Sequence, residues 1–149
     1  MPPPVVQLSS KDSYAKISAP SATYALLGLE LPTLAGKYML RISQWAHPGA
    51  GFTKMLDVAP VPFAYSIAAA SSKWAIATFE QPSATAGSDD LRVEAKVWAN
   101  NKWANVATLK PGDRPRVQSL VALPAGGALV ALNSGTAGNG GFGLWRLVA

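Results

Sequence analysis

AYSIAAASSKWAIATFE, residues 64–80, alternates apolar and small side chains, breaks at Ser71-Ser72-Lys73, and resumes as an apolar run from Trp74. Successive side chains of a strand point to opposite faces, so two such runs around a short polar break predict a β-hairpin. The run Ile67–Ala70 is only four residues long, too short to support a helix against that alternation. The same pattern returns as SYAKISAPSATYALLGLE at 13–30 and VQSLVALPAGGALVALNS at 117–134, with starts 51 and 53 residues apart.

The likeness continues downstream. Each hairpin is followed by a Gly-containing connection and a third strand that ends near a tryptophan, at 38–45, 91–98 and 142–145. Trp45, Trp98 and Trp145 therefore recur at intervals of 53 and 47. A fourth strand is predicted at 52–58 and again at 103–109, joined in the second case by Asn100-Asn101, residues that tolerate the positive φ of a tight hairpin turn. The third unit ends without one. VVQL at residues 5–8 is the one unassigned apolar stretch, and it is expected to pair there, closing an edge that would otherwise invite aggregation. The chain thus reads as a single all-β domain of three four-stranded antiparallel units of about 50 residues, covering 13–59, 63–110 and 115–149 plus strand 5–8.

Leu91 to Val106 and Pro115 to Ser134 carry a glycine-rich turn, an apolar-x-apolar strand ending at tryptophan, a hairpin and a further tryptophan. In this they resemble the blades of sialidase-like and lectin β-propellers. The resemblance implies a propeller-like stack. Propellers close with about 4–8 blades, so three units imply a homo-oligomer. A β-prism, a β-trefoil or a β-sandwich are the alternative architectures.

Composition agrees with short buried strands joined by turns: 49% hydrophobic, 14% charged, 13 Gly and 12 Pro. The absence of cysteine excludes disulfides, zinc–thiolate sites, thiol nucleophiles and iron–sulfur clusters together. The net charge of +5 is spread along the chain, and its densest group, Lys110, Arg114 and Arg116, is interrupted by Pro111 and Pro115. A nucleic-acid site favours a continuous basic stripe with interleaved aromatics, so nucleic acid is not an expected partner. The N-terminal MPPPVVQL lacks the basic region and apolar core of a secretory signal. No apolar run approaches the roughly 20 residues of a membrane helix. A soluble chain without a membrane span is expected, with its localisation left between a virion and a non-classical export route.

Little in the sequence supports catalysis. The one histidine, His47, lies in the turn HPGAG, and no G-x-S-x-G elbow precedes it. Glu30 and Glu80 end the equivalent second strands and are read as strand-end residues at the solvent edge. A glycosidase would need two carboxylates about 5–10 Å apart. Asp89-Asp90 lacks the ligand spacing of a calcium loop. Gly126-Gly127 and the GNGG at 138–141 lead into no helix, so they are turns and not phosphate cradles. No catalytic residue, metal site or cofactor is expected.

The aromatics carry the functional expectation. A sugar site stacks an aromatic face on C–H groups and adds amide or charged hydrogen-bonding neighbours. The candidate ligand-binding residues are Trp45 with Arg41 and Gln44, Trp98 with Glu94, Lys96 and Trp103, and Trp145 with Arg146. Packing of these tryptophans between sheets is the competing account. The expected function is a non-catalytic, lectin-like module with repeated carbohydrate sites. The alternative is a structural virion component, such as a phage capsid decoration or tail protein.

Overall fold

The computed structural model describes residues 14–47, 51–82, 91–109, 115–134 and 141–147. Eleven strands and no helix occur among them. The chain divides into two compact units, Met1–Val61 and Pro62–Ala149. In the first, β1 (Ala15–Ser21), β2 (Tyr24–Pro32), β3 (Tyr38–Ala46) and β4 (Thr53–Val58) form one antiparallel sheet in chain order. In the second, β5 (Ala64–Ser71), β6 (Trp74–Pro82), β7 (Leu91–Ala99) and β8 (Lys102–Leu109) form another. A third sheet holds β9 (Arg116–Ala122), β10 (Ala128–Ser134) and β11 (Gly141–Leu147).

The all-β expectation holds, with antiparallel sheets of four, four and three strands among the described residues. No sheet closes on itself there, and no helix is long and apolar enough to cross a membrane. The strand expected at 5–8 lies outside the described residues, as do Asp89-Asp90, Lys110 and Arg114.

The repeat extends to pairing register. Tyr24–Pro32 and Trp74–Pro82 align residue for residue, and both strands end at proline, which cannot donate to a further ladder. Ala25 lies opposite Trp45, and Ala75 opposite Trp98. A bulge recurs at one place: Met55 is extra between the partners of Ile42 and Ser43, and Val106 between those of Ala95 and Lys96. Ile67 pairs with Ala77 as Ile17 does with Leu27 and Leu120 with Val130.

The turns follow from their residues. Ser21 Oγ accepts the Thr23 N–H, and Ser71 Oγ accepts those of Lys73 and Trp74, so a serine stands in for a backbone acceptor in both short hairpins. Asn100 and Asn101 have φ of 52° and 60°, the primed turn that lets strands keep their right-handed twist. Gly126 and Gly127, at φ of 91° and 85°, close the longer β9–β10 loop in a conformation that side chains rarely adopt.

Within the second unit, the β5–β8 sheet packs its Ile76 face on the β9–β11 sheet. Ala68, Trp74, Ile76 and Val97 are buried with Ala128, and Leu120, Ala122 and Leu147 pack at the margin. Val93 and Leu109 are buried with Val130 and Leu132. Enclosing an Ile, Leu or Val side chain contributes about 1.5–3 kcal/mol, so this seam is a large stabilising contact of the unit, and Ile76→Asp is the change that would break it. β6 is buried at every position from Trp74 to Glu80, which explains why its sequence lacks alternation, whereas β7 alternates buried and half-buried along its length.

Two polar contacts lock the seam. The Trp74 indole N–H donates to the Gly127 carbonyl at 3.1 Å. Glu80 is only 2% exposed; its Oε1 accepts the Val117 N–H at 2.8 Å and its Oε2 accepts Arg116 Nη1 at 3.2 Å. The expectation that Glu80 marks a solvent edge is therefore corrected. The third sheet covers that strand end, and a buried carboxylate persists because a backbone donor and a guanidinium satisfy it.

Candidate functional site: the aromatic corner of the second sheet

Arg92, Glu94, Lys96 and Trp98 share one half-buried face of β7, as strand alternation requires. The Asn100-Asn101 turn sets the register, placing Trp103 opposite Trp98 and Asn105 opposite Lys96. The two indoles stand 5.9 Å apart and tilted by 51°, within the favourable range for an aromatic pair. Lys96 Nζ donates to Asn105 Oδ1.

Trp98 is held from the other side as well. Its strand partner across β6 is Ala75, whose methyl leaves room for the indole, and the Trp98 N–H donates to the Ser72 carbonyl at 3.1 Å. The Trp103 indole N–H is buried without an acceptor. One ring is thus tied to the β5–β6 turn and the other is fixed by packing against it. Farther along the same face Arg92 Nη2 binds Glu94 at 2.8 Å.

In the first unit Trp45 occupies the register position that Trp98 occupies in the second, and its ring stacks on His47 with centroids 6.2 Å apart. Arg41 lies on the same face, where Nε and Nη2 fork onto Asp57 at 2.8 and 3.0 Å, with Lys54 3.5 Å from the same carboxylate. The hydrogen bonds from Arg41 hold Asp57 below the usual carboxylate range and outweigh its burial. Gln44 points to the opposite face, where it accepts the Tyr24 hydroxyl at 3.4 Å. Burial pushes the Tyr24 phenol up to about 12 and raises Glu30 above its ordinary value.

In the third sheet Trp145 is 40% exposed and lies opposite Val130. A side chain added at Gly143 would meet its indole nitrogen at 3.0 Å, so the ring lies along its own strand. Arg146 faces the other side, opposite Leu129. Ala128, the equivalent of Ala75, is instead paired with Leu147.

The residues named from sequence are thus distributed as follows. Lys96, Trp98 and Trp103 come together, with Glu94 adjoining them on the strand. Arg41 and Trp45 share a face without Gln44, and Trp145 and Arg146 are on opposite faces. Asn105 and the Ser72 carbonyl were missed from sequence, although counting back from the Asn100-Asn101 turn gives the Lys96–Asn105 pair directly. Among the described residues no group of His, Asp or Glu is placed to hold a metal ion.

No family model matches this chain, and no curated protein matches it. Among solved structures it is similar to MPT-4, a mannose phosphorylase from Leishmania mexicana determined with phosphate ion. The two are 11% identical with a TM-score of 0.48, and the match covers 85% of this chain and 39% of that one. Likeness at that level bears on neither fold nor activity.

Proposed function

We propose that the chain is a non-catalytic binding module, built of propeller-like blades, that takes carbohydrate at the Trp98–Trp103 corner. The observation that carries the reading is the fixed aromatic pair beside the Lys96–Asn105 pair. The indoles offer faces for C–H stacking, and ammonium and amide groups offer hydrogen bonds to hydroxyls. The Trp98 bond to Ser72 holds the ring before a ligand arrives, which lowers the ordering cost of binding. Trp45 repeats the position in the first unit, so two weak sites would gain avidity on a multivalent glycan.

The non-catalytic reading is supported by the engagement of three of the four described carboxylates. Asp57 is engaged by Arg41 and Lys54, Glu94 by Arg92, and Glu80 by Val117 and Arg116. The blade reading is supported by the way the second and third sheets meet. The Ile76 face of β5–β8 packs on the Leu132 face of β9–β11, and by register Leu132 corresponds to Phe79, on the opposite face of its own sheet. Like sheets that stack front to back form a tandem series, whereas a two-layer sandwich of repeats would join like faces.

Glycan-array screening with Trp98→Ala as control tests the ligand. The wild type should bind a defined sugar class and the variant should lose it; no binding at millimolar sugar refutes the proposal. A second reading, a structural virion component, is favoured by the apolar surface of β11, where Phe142 is 73% and Leu144 65% exposed. Negative-stain microscopy separates them, since insertion in a lattice favours the particle.

A further inference from the structure

The exposed face of the third sheet has a counterpart inside the molecule. By pairing register, Val121, Leu129, Leu144 and Phe142 hold the positions that Ala68, Ile76, Ala95 and Val93 hold on the second sheet. On the second sheet, Ala68, Ile76 and Val93 are buried against the third. On the third, Val121, Leu144 and Phe142 are exposed.

The opposite kind of face, the one that receives such a surface, is also duplicated. The third sheet offers Leu120, Val130 and Leu132 to the second. The first sheet carries Ile17, Leu27 and Leu29 at the matching positions, since Ile17 pairs with Leu27 as Leu120 does with Val130. Ile17 is 68% exposed and Leu29 half-buried, so this receiving face is incompletely covered.

We infer that the chain self-associates head to tail, the Phe142–Leu144 face of one copy docking on the Ile17–Leu29 face of a second copy. The junction repeats, between chains, the front-to-back seam already present between the second and third sheets. Two copies bring six blades, within the range of about 4–8 in which propellers close. A head-to-tail contact either closes into a ring or runs on as a filament. The inference rests on the blade reading; because Trp45 and Arg41 lie on that receiving face, opposite Ala25 and Leu29, docking there competes with sugar at Trp45.

Leu144→Glu and Ile17→Glu, both at exposed positions that should leave folding intact by circular dichroism, test it with native mass spectrometry and light scattering. The wild type should be a dimer or a longer array. Each variant should be monomeric, its dissociation constant raised about 100-fold or more by a buried unpaired charge. An equimolar mixture of the two variants should recover a heterodimer, because one head and one tail remain intact. A monomeric wild type overturns the inference. So does an Ile17→Glu variant that stays dimeric while Leu144→Glu dissociates, which would indicate a contact between like faces. Failure of the mixture to associate overturns it too. The blade reading is checked separately with spin-label pairs, which a cysteine-free chain accepts at single introduced cysteines. A monomer that keeps the second and third sheets about 10 Å apart retains their front-to-back seam and loses the docking; loss of that seam removes both.

Discussion

Replacing Glu80 with alanine should destabilise the second unit far more than replacing its ion-pair partner. The Glu80 side chain is almost wholly enclosed, while that of Arg116 is 55% exposed. Glu80→Ala removes the acceptor of the Val117 N–H, a charge-assisted bond of the kind that contributes about 1.5–3 kcal/mol. It also removes buried methylene packing, about 0.8 kcal/mol per CH₂. The sum is about 3 kcal/mol, a large share of a typical domain stability of about 5–15 kcal/mol. Arg116→Ala should cost about 1 kcal/mol or less, because water replaces an exposed guanidinium and screens the pair. Glu80→Gln keeps an oxygen for Val117 and should fall between the two. Urea unfolding followed by tryptophan fluorescence, read at constant m-value, gives the three differences. If Arg116→Ala costs as much as Glu80→Ala, the ion pair and not the strand-to-strand anchor carries the contact. If Glu80→Ala costs under about 1 kcal/mol, the seam does not depend on this carboxylate at all.

Three further outcomes are expected. Thr78 is fully buried and its hydroxyl has no hydrogen-bond partner, so Thr78→Val should be neutral or stabilise by about 1 kcal/mol in the same unfolding assay. Burial raises the Tyr24 phenol from 10.0 to about 12, so folding favours its protonated form; this stability is present below pH 10 and lost as pH rises toward 12, and Tyr24→Phe should flatten the alkaline unfolding profile in that window. Asp57 has the opposite sign, since its folded value is depressed below 3.8, chiefly by the Arg41 hydrogen bonds. Its contribution is present above that value and lost as pH falls through the folded one, so Asp57→Asn should unfold less steeply in acid. The pair is partly exposed, so the neutral-pH cost should stay under about 1 kcal/mol.

The strands and hairpins were legible because their signals are local. Alternation in Leu91–Ala99, the asparagine pair at 100–101 and the small-residue turns each constrain only a few neighbouring dihedrals. Glu80 was misplaced because a strand-end carboxylate looks solvent-facing until another sheet covers it, and local pattern does not encode that cover. Gln44 was misgrouped with Trp45 for a simpler reason: adjacent residues of a strand point to opposite faces.

Trp145 shows how narrow the margin is. It lies 47 residues after Trp98, but the position equivalent to Trp98 in the third sheet is Leu147, opposite Ala128. A repeat counted by tryptophan alone is therefore two residues out of register there. Because the shift is even, Trp145 stays on the corresponding face, and it takes the place of Lys96 opposite Val130. In the third sheet the small-residue partner Ala128 faces Leu147 and Trp145 faces Val130, so the Trp145 ring lies over Gly143 on its own strand instead. Recognition sites of the Trp98 kind should then number two in the chain, at Trp98 and Trp45. Trp98→Ala combined with Trp45→Ala should abolish glycan avidity, while Trp145→Ala leaves it intact; loss of binding in Trp145→Ala alone would return the site to the third sheet and refute the register argument.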